Sequence, residues 1–580
     1  MLDQPLLLKL GISLGLFALL TGSGFTQGKG PSRYPQGYFR NPLDLPMSLS
    51  GNFGEPRPNH FHMGLDLRTQ LRENLKVHAS ASGFVSRVKI EPWGFGRALY
   101  IEHPNGYTTV YAHLNAFYPE LERWILQQQY LQRSWKLDLG IAAGRFPVTK
   151  GQFIALSGNT GGSEAPHLHY EIRRTQDGAN LNPLYFGLPL ADAQSPQLLK
   201  LAVYDRTRST YEQEPAIYPL RKKQTGIYTL LLPIIKTASP QVSLALSAFD
   251  LHDGSTNRNG VSSAQLLVDG VLKLAFEMDQ INYTQTRYLN AHIDYKTRAR
   301  TGQFLQHLSE LPGYRNSVYT KHGGGGVIDL SDREVHQVKI IVKDASGHSS
   351  RLEVALRWSG ERRPGPVREA AMLYCSPGKK SSFETSTYSF TIGENCLYDT
   401  AAIGYFTDLN NRDGAVSAVH TIGSSAIPLQ ESVLIRLKPS RSLSGQEQAQ
   451  TLMLWTRGSK NEVQRTTWEQ GWAVASFREF GSFQLVLDQE PPQIIPVNFA
   501  EGSKPFRASK LIFTVTDNWQ KIKNVVAELD GKWLCFSNDK GKDFIYTMDE
   551  NCPPGPHQLS VWAEDEAGNS SQRIFRITTR

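Results

Sequence analysis

The sequence has little of several features that mark particular classes of protein. Cysteine is rare, since 580 residues contain four, and none has the C-x-x-C spacing of structural zinc sites. A metal site would therefore have to use histidine and carboxylate ligands. There are 62 basic and 54 acidic residues, but no Lys/Arg block of the kind that binds nucleic acid. We expect no nucleic-acid partner.

Long hydrophobic runs are lacking as well. The apolar run LGISLGLFALL covers residues 10–20 and is far shorter than the ~20 residues that span a bilayer. It follows Lys9 and precedes the small residues TGSG, which is the order of a secretory signal peptide. We predict a signal peptide over residues 1–26, export to the periplasm or cell envelope, and no transmembrane segment in the mature chain. An uncleaved anchor is the alternative.

Residues 31–190 form one compositional unit, which we predict to be an antiparallel β domain. Gly and Asn turns separate the short alternating runs GFVSRVKI, ALYIEH, YTTVYAHL, FIALSG and HLHYEIR. One helix is expected to interrupt them, because residues 118–135 carry apolar side chains at helical spacing after Pro119. We expect this insert, Tyr118 to Phe146, to lie beside a groove.

The rest of the chain contains an internal repeat. LALSAFD, LLVDG and HQVKIIVKDASGHSS within residues 191–360 correspond to LIFTVTD, AELDG and HQLSVWAEDEAGNSS within residues 489–580. This pattern is typical of immunoglobulin-like sandwiches. Residues 361–488 are predicted to be a β-sandwich of uncertain type. The fold class is therefore mainly β: one antiparallel β domain with a helical insert, followed by two to three sandwiches.

Two local features of this C-terminal part are ambiguous. The cysteines fall as Cys375/Cys396 and Cys535/Cys552, which is compatible with two disulfides in an exported protein, although free buried thiols are the alternative. The acidic D-x-x-G turns of the repeat are compatible with calcium binding, but ordinary turn chemistry is the favoured interpretation.

PHLHYEIR places His167 and His169 two residues apart in a strand-like run. Residues i and i+2 share one face of a strand and lie ~6.6 Å apart, so both imidazoles point the same way. Two core histidines on one face would each bury a ring nitrogen that needs a partner. If one of these histidines binds a metal and the other reaches a water on that metal, the ring nitrogens of both have a partner.

NHFHMGLDL adds His62 and Asp66. In an extended strand their Cα atoms would lie ~13 Å apart, too far to share an ion, so the segment should turn or bulge at Gly64. His62, Asp66 and His169 would then be three metal ligands with a fourth position open to water, the arrangement of catalytic zinc. His113 ends the run VYAHL and is, by itself, an ordinary core or surface histidine.

Taken together, HFHMGLD, YAHLN and GNTGGSEAPHLHYEIR resemble the three motifs of LytM/lysostaphin-type zinc metallopeptidases. The resemblance covers residues 45–185. It implies one Zn²⁺ per chain held by His62, Asp66 and His169, with His113 and His167 as the two non-ligand catalytic histidines. It further implies an endopeptidase that cuts peptidoglycan stem peptides or cross-links through attack of a zinc-bound water.

Two alternatives accompany this prediction. One is a non-catalytic LytM-type adaptor or regulator of the envelope, and the other is a protease of envelope proteins. In each of these cases, the C-terminal sandwiches would provide the surface that binds an envelope protein partner. Of the other polar residues near the motifs, we expect His60 to lie outside the ligand set, His103 to be structural and Arg173 to be solvated.

Overall fold

The computed structural model describes residues 33–579, apart from residues 316, 362–371, 410–411, 413, 501, 503–508 and 542. The predicted signal peptide lies outside the described residues. In the part of the chain that is described, no helix combines the length and the apolar character needed to cross a bilayer. The fold is mainly β with predominantly antiparallel sheets, which confirms the predicted fold class.

The N-terminal domain, residues 33–190, contains fourteen strands and one α-helix, α1 (Pro119–Gln132). The strands are β1 (Leu49–Gly51), β2 (Pro56–Arg57), β3 (His60–Phe61), β4 (Leu65–Arg68), β5 (Lys76–His78), β6 (Gly83–Ile90), β7 (Arg97–Glu102), β8 (Tyr107–Ala112), β9 (Leu114–Phe117), β10 (Leu137–Gly140), β11 (Pro147–Val148), β12 (Phe153–Ser157), β13 (His167–Arg174) and β14 (Asn180–Leu181).

The main sheet has the order β1-β4-β13-β8-β7-β6-β10, and a second sheet has the order β5-β12-β9. Strand β13 is central, and its two faces have different roles. Leu168, Tyr170 and Ile172 are fully buried in the domain core. The alternate residues, including His167 and His169, face the other side because side chains alternate along a strand. The core face therefore fixes the position of the histidine face.

Helix α1 confirms the predicted helix. Pro119 occupies its first turn, and the left-handed Arg133 (φ 48°) ends it. Leu121 and Ile125 pack into the domain core, one helical turn apart. The expected position beside the groove is wrong, because no residue of α1 lines the cleft that contains the histidines. The helix end contacts the fourth region instead, through the Arg133–Glu528 ion pair.

The second region, residues 191–361, packs two sheets around one core. Their orders are β16-β15-β20-β24 and β17-β18-β28-β27-β21-β22-β25, with β26 pairing with β20 and β19 with β28. The strands are β15 (Gln197–Asp205), β16 (Ala216–Pro219), β17 (Arg221–Gln224), β18 (Ile227–Thr229), β19 (Ile234–Thr237), β20 (Gln241–Phe249), β21 (Ser263–Val268), β22 (Val271–Glu277), β23 (Gln280–Ile281), β24 (Gln306–His307), β25 (Tyr319–Lys321), β26 (Ile328–Asp329), β27 (His336–Lys343) and β28 (Ser349–Trp358), with short helices α2 (Leu289–His292) and α3 (Tyr295–Thr301).

The third region, residues 372–488, also has two sheets, ordered β29-β32-β33-β39-β35-β36 and β30-β31-β34-β38-β37. Its elements are β29 (Met372–Cys375), β30 (Ser381–Glu384), β31 (Tyr388–Ile392), β32 (Ala401–Asp408), β33 (Val419–Ile422), β34 (Val433–Leu437), α4 (Gly445–Ala449), β35 (Thr451–Arg457), β36 (Lys460–Arg465), β37 (Thr467–Glu469), β38 (Trp472–Phe477) and β39 (Gly481–Leu487).

The fourth region, residues 489–579, has sheets β40-β41-β44 and β43-β42-β45-β46. Its strands are β40 (Gln493–Pro496), β41 (Lys510–Thr516), β42 (Ile522–Leu529), β43 (Lys532–Trp533), β44 (Asp543–Thr547), β45 (Gly555–Asp565) and β46 (Ser570–Thr579). The four cysteines of the third and fourth regions are free thiols. The domain boundaries and the immunoglobulin-like assignment remain predictions.

The N-terminal domain and the second region share a core. Phe53, Phe61 and Met63 are buried in the apolar cluster of the second region rather than in that of their own domain. Strand β14 also pairs with β23 of the second region, so the main sheet continues across the junction. This junction lies directly beside the His62–Asp66 motif.

Candidate metal centre

His62 and Asp66 are brought together by a break in strand geometry. The chain leaves β3 after Phe61 and enters β4 at Leu65, so the residues between them are not extended. Gly64 sits at this break. A Cβ atom there would lie 2.5 Å from the carbonyl oxygen of Tyr170, so only glycine allows β13 to approach so closely. Asp66 is then the direct cross-strand neighbour of His169.

Three ligand atoms converge at this point. Asp66 Oδ1 lies 3.0 Å from both His62 Nε2 and His169 Nδ1, and these two nitrogens are 3.2 Å apart. The three side chains are buried, each with 6% of its surface exposed. Tetrahedral coordination with ~2.0–2.1 Å bonds separates ligand atoms by about 3.3–3.4 Å, close to these distances.

His62 and His169 each use one ring nitrogen in a hydrogen bond that points away from the cluster. The lone pairs of their other ring nitrogens face each other. His62 Nδ1 lies 2.9 Å from the carbonyl oxygen of Asn52, which can only accept, so the ring proton is on Nδ1 and Nε2 is bare. His169 Nε2 lies 2.9 Å from Glu171 Oε1, which leaves Nδ1 bare in the same way. Two bare nitrogens and the Asp66 carboxylate thus meet around one point. Such an arrangement needs a cation.

The electrostatics of the pocket agree with this requirement. Burial opposes ionisation of Asp66, but His62, His167 and His169 hold the pKa of its carboxyl well below the usual value. Burial likewise opposes a charge on His169, yet the carboxylates of Asp66 and Glu171 raise the pKa of this histidine to about 9. Positive charge is therefore strongly favoured inside the cluster. Without a metal, a second proton on His169 supplies this charge; a divalent metal ion would displace that proton and use all three lone pairs.

The two other predicted histidines lie next to the cluster. His113 follows β8 in the left-handed conformation (φ 61°), and its Nδ1 lies 2.8 Å from the Thr160 carbonyl oxygen. His167 Nδ1 lies 2.8 Å from the Ala165 carbonyl oxygen, and its Nε2 lies 3.3 Å from Asp66 Oδ1. The ring centres of His113 and His167 are 4.8 Å apart. The structure thus brings all five predicted residues together.

His113 is neutral in this setting. Burial, together with the charges of the neighbouring His167 and His169, lowers the pKa of its imidazole to about 3. Since its Nδ1 donates to the Thr160 carbonyl, its Nε2 is the nitrogen with a lone pair. A neutral imidazole oriented by a backbone carbonyl is suited to accept a proton.

Sequence reasoning did not include three residues that hold the cluster in place. Arg57 donates from a terminal nitrogen to Asp66 Oδ2 at 3.0 Å. The fully buried Glu171 binds His169 and also accepts from the Tyr283 hydroxyl. Glu171 shares the His167/His169 face at i+2 spacing, so the strand pattern could have identified it. No local signal points to Arg57 or to Tyr283, which belongs to the second region.

The sequence also predicts the environments of His60, His103 and Arg173, and two of these three predictions agree with the structure. His60 is exposed, its Nδ1 lies 2.9 Å from the Pro58 carbonyl oxygen, and it is not part of the three-ligand cluster. His103 is buried and structural, since its ring nitrogens contact Ser82 and Thr109. The expectation that Arg173 is solvated is wrong, because the guanidinium group forms an ion pair with buried Glu171.

A cleft of about 1010 Å³ opens over the cluster. One side is formed by residues around Arg57, Arg68 and Leu71, and the other by the stretch from Gly162 to His169. The candidate ligands His62, Asp66 and His169 are among the lining residues, so the cleft gives solvent a path to the cluster.

Comparison with known proteins agrees with this geometry. Residues 60–134 match the model of peptidase family M23. The chain thus contains a peptidase family M23 domain at residues 60–134. The matched residues include His62, Asp66 and His113, whereas the His167/His169 pair follows the matched stretch. Residues 373–488 match the model of the Zu5-like domain.

Three curated proteins illustrate the similarity of the M23 domain. An uncharacterized metalloprotease of Haemophilus influenzae is 35% identical over 169 residues, 29% of this chain and 29% of the relative. The DD-carboxypeptidase/endopeptidase Mpg of Neisseria meningitidis is 33% identical over 128 residues, 22% of this chain and 23% of the relative. The peptidoglycan DD-endopeptidase ShyA of Vibrio cholerae is 28% identical over 183 residues, 30% of this chain and 36% of the relative.

The aligned part of the chain thus spans little more than a third, at most, of these curated relatives. Among solved structures, the catalytic domain of lysostaphin from Staphylococcus simulans matches with 22% identity and a TM-score of 0.18. That match covers 23% of this chain and 87% of the lysostaphin domain.

Proposed function

We propose that this protein is a secreted zinc metalloendopeptidase that hydrolyses peptide bonds in peptidoglycan stem peptides or cross-links. The observation that carries the proposal is the convergence of three bare ligand atoms, from His62, Asp66 and His169, beneath a solvent-accessible cleft. Two further histidines, His113 and His167, face the same point without being needed as ligands. The M23 family match and the peptidoglycan peptidases among its relatives support the substrate class.

The donor set of two imidazoles and one carboxylate fits catalytic zinc. When bound, the ion would supply Lewis acidity, which polarises the scissile carbonyl and makes water acidic enough to attack. The chain's own residues do the rest. Neutral His113 presents Nε2 as a proton acceptor, and His167 presents Nε2 toward the same space. Both imidazoles can then donate hydrogen bonds to the negative charge that develops on the substrate oxygen.

Arg57 and Arg68 line the cleft and give it positive charge. Stem peptides carry free carboxylates, which guanidinium groups bind well. The signal-like residues 1–26 support export to the periplasm or cell envelope, where this substrate is found. The C-terminal sandwiches are proposed to bind an envelope protein partner.

The test uses the full mature chain loaded with zinc and incubated with purified sacculi. Mass analysis of the muropeptides should show new peptide termini. Replacing His169 by Ala should abolish zinc binding, whereas His113→Ala and His167→Ala should retain zinc and lose turnover by at least about 100-fold. His60→Ala is the matched control, since His60 lies in the cleft wall but outside the cluster.

Three results would count against the proposal. Zinc-loaded protein that leaves sacculi intact would exclude this substrate. A His167→Ala variant without zinc would show that the two strand histidines have exchanged roles. Zinc-retaining His113 or His167 variants that fully support the cellular role would favour the adaptor alternative.

A further inference from the structure

A cluster of aspartates, separate from the metal centre, lies in the repeated part of the chain. In the fourth region, one carboxylate oxygen each of Asp488, Asp517 and Asp565 lie within 4.8 Å of one another. Asp488 precedes β40, Asp517 follows β41, and Asp565 ends β45. Three separate segments of the chain therefore place negative charge at one point.

Burial makes this cluster costly without a cation. Asp488 is 1% exposed and Asp565 is fully buried. Burial, with the neighbouring carboxylates, raises the pKa of Asp517 to about 6, and burial also raises that of Asp488. Among the described residues, no Lys, Arg or His side chain forms an ion pair with these three carboxylates. Nothing in the described chain neutralises them.

Two carboxylate oxygens of the cluster also lack a hydrogen-bond partner. Asp488 Oδ1 accepts from the Asn518 side chain, but Asp488 Oδ2 is buried and unsatisfied. Asp517 Oδ2 accepts from the Trp519 amide, whereas Asp517 Oδ1 is unsatisfied in the same way. Buried oxygens are rarely left without a donor, so these two point to a ligand.

The second region repeats the same construction. D-x-x-x-P-Q occurs at Asp192 and at Asp488, and both linkers lead directly into a strand. The strand-end residue Asp250 corresponds to Asp517, and the turn residue Asp344 corresponds to Asp565. In both regions a hairpin serine six residues beyond the turn aspartate binds the carbonyl of the linker proline.

The two turns form the same hydrogen bond from a backbone amide to the turn aspartate. Asp344 Oδ1 accepts from the amide of the residue four positions later at 2.9 Å, and so does Asp565 Oδ1. Asp250 Oδ1 is buried and unsatisfied, like its counterpart Asp517 Oδ1. Burial, with the charges of Asp344 and Asp192, raises the pKa of Asp250 to about 8. In this region, however, the residues whose ligand atoms lie within 4.8 Å of one another are Asp192, Asp344 and His348 rather than Asp250, and His348 Nδ1 lies 3.1 Å from Asp344 Oδ2. The second region therefore shares the turn but pairs its aspartate with an imidazole.

We propose that the cluster Asp488/Asp517/Asp565 binds one calcium ion. All ligands are carboxylate oxygens, which hard cations prefer, and calcium accepts the irregular geometry of loop ligands completed by water or backbone carbonyls. Zinc favours nitrogen and sulfur ligands and would remain at the histidine cluster. Because Asp488 comes from the linker before β40, the ion would tie this linker to the region that follows it.

Calorimetric titration of the full zinc-loaded chain tests the proposal, after passage over a chelating resin and restoration of one zinc equivalent. We expect one calcium ion per chain and a higher melting temperature. An affinity in the range of extracellular calcium modules, about 10⁻⁴–10⁻³ M, is sufficient. Asp517→Asn should bind none, whereas Asp250→Asn, at the corresponding strand end of the second region, should still bind one. Asp543→Asn, an exposed carboxylate outside the cluster, is the matched control.

The calcium-free variants provide a second readout. Removing one charge relieves repulsion, so without calcium Asp517→Asn should melt at or above the temperature of the parent chain. The order should reverse in calcium. No calcium-dependent heat or melting shift up to millimolar concentration, an Asp517→Asn variant that still binds calcium as the parent chain does, or a response to magnesium alone would each overturn the proposal.

Discussion

His169 is held at both ends of its imidazole ring, and this has consequences for metal affinity. Nδ1 faces Asp66 and His62, while Nε2 donates to the buried carboxylate of Glu171. Glu171 in turn accepts from Tyr283 and pairs with Arg173. Carboxylates that orient a ligating histidine fix its tautomer and increase its basicity.

We therefore expect Glu171→Gln to weaken zinc binding by about 10–100-fold without unfolding the chain. Tyr283→Phe removes only one hydrogen bond to Glu171 and should have a smaller effect in the same direction. Competition with a fluorescent zinc chelator measures both affinities. Glu120→Gln, an exposed carboxylate in α1, is the control and should change nothing. Equal affinities for all variants would show that Glu171 does not orient His169.

The residues that carry chemistry were predictable to different degrees. His62, Asp66, His113, His167 and His169 stand in motifs whose spacing and order are visible in the sequence, and the structure places them together.

The supporting residues were not predictable in the same way. Arg57 reaches Asp66 across nine positions, and Tyr283 reaches Glu171 across 112 positions. Such pairs depend on how regions dock, which local patterns do not encode.

At the scale of elements, the turn SGNTGGS is held by a loop of another region. Gly161 (φ 71°) packs so closely on Gly96 that a Cβ atom would lie 2.2 Å from its amide nitrogen. The Gly161 amide donates to Asp539, and the Lys540 side chain donates to the Ser163 carbonyl. The loop at residues 538–541 thus fixes a turn that runs into the cleft wall. The sequence predicted the turn but not its partner.

We expect the double substitution Asp539→Ala/Lys540→Ala to loosen this turn. Hydrogen exchange at the Gly161 amide should accelerate, because its acceptor is gone. Peptidase activity should fall several-fold through both kcat and KM, since Ser163 lines the cleft and its hydroxyl lies 3.2 Å from Nδ1 of His167. Lys532→Ala, in the same region and exposed, is the control. Unchanged exchange at Gly161 would mean that the loop does not support the turn.

At the scale of the whole molecule, the catalytic unit is larger than the sequence suggested. Composition places a boundary near residue 190, and strand patterns on both sides support it. Yet Phe53, Phe61 and Met63 are buried in the core of the second region, and β14 pairs with β23 across the boundary. These contacts join positions about 100 or more residues apart, so composition cannot reveal them.

This shared core predicts how fragments behave. Burying one large apolar side chain contributes about 1.5–3 kcal/mol, so Phe53, Phe61 and Met63 together contribute about 5–9 kcal/mol. That is comparable with the total stability of a typical domain, about 5–15 kcal/mol. We expect a fragment of residues 33–190 to aggregate or melt far below the full chain, and to bind zinc more weakly because Tyr283 is missing. A fragment of residues 33–361 should retain both properties.

This prediction is tested by measuring the melting temperature and zinc affinity of the two fragments and of the full chain. A 33–190 fragment as stable as the longer one would show that the shared core is dispensable. The 33–190 fragment both exposes apolar side chains and lacks Tyr283. Tyr283→Phe in the longer fragment separates these two effects, because it removes only the hydrogen bond to Glu171. It should lower zinc affinity slightly and leave solubility unchanged. Only the loss of the apolar contacts should cause aggregation, because those contacts, rather than the hydrogen bond to Glu171, keep Phe53, Phe61 and Met63 from water.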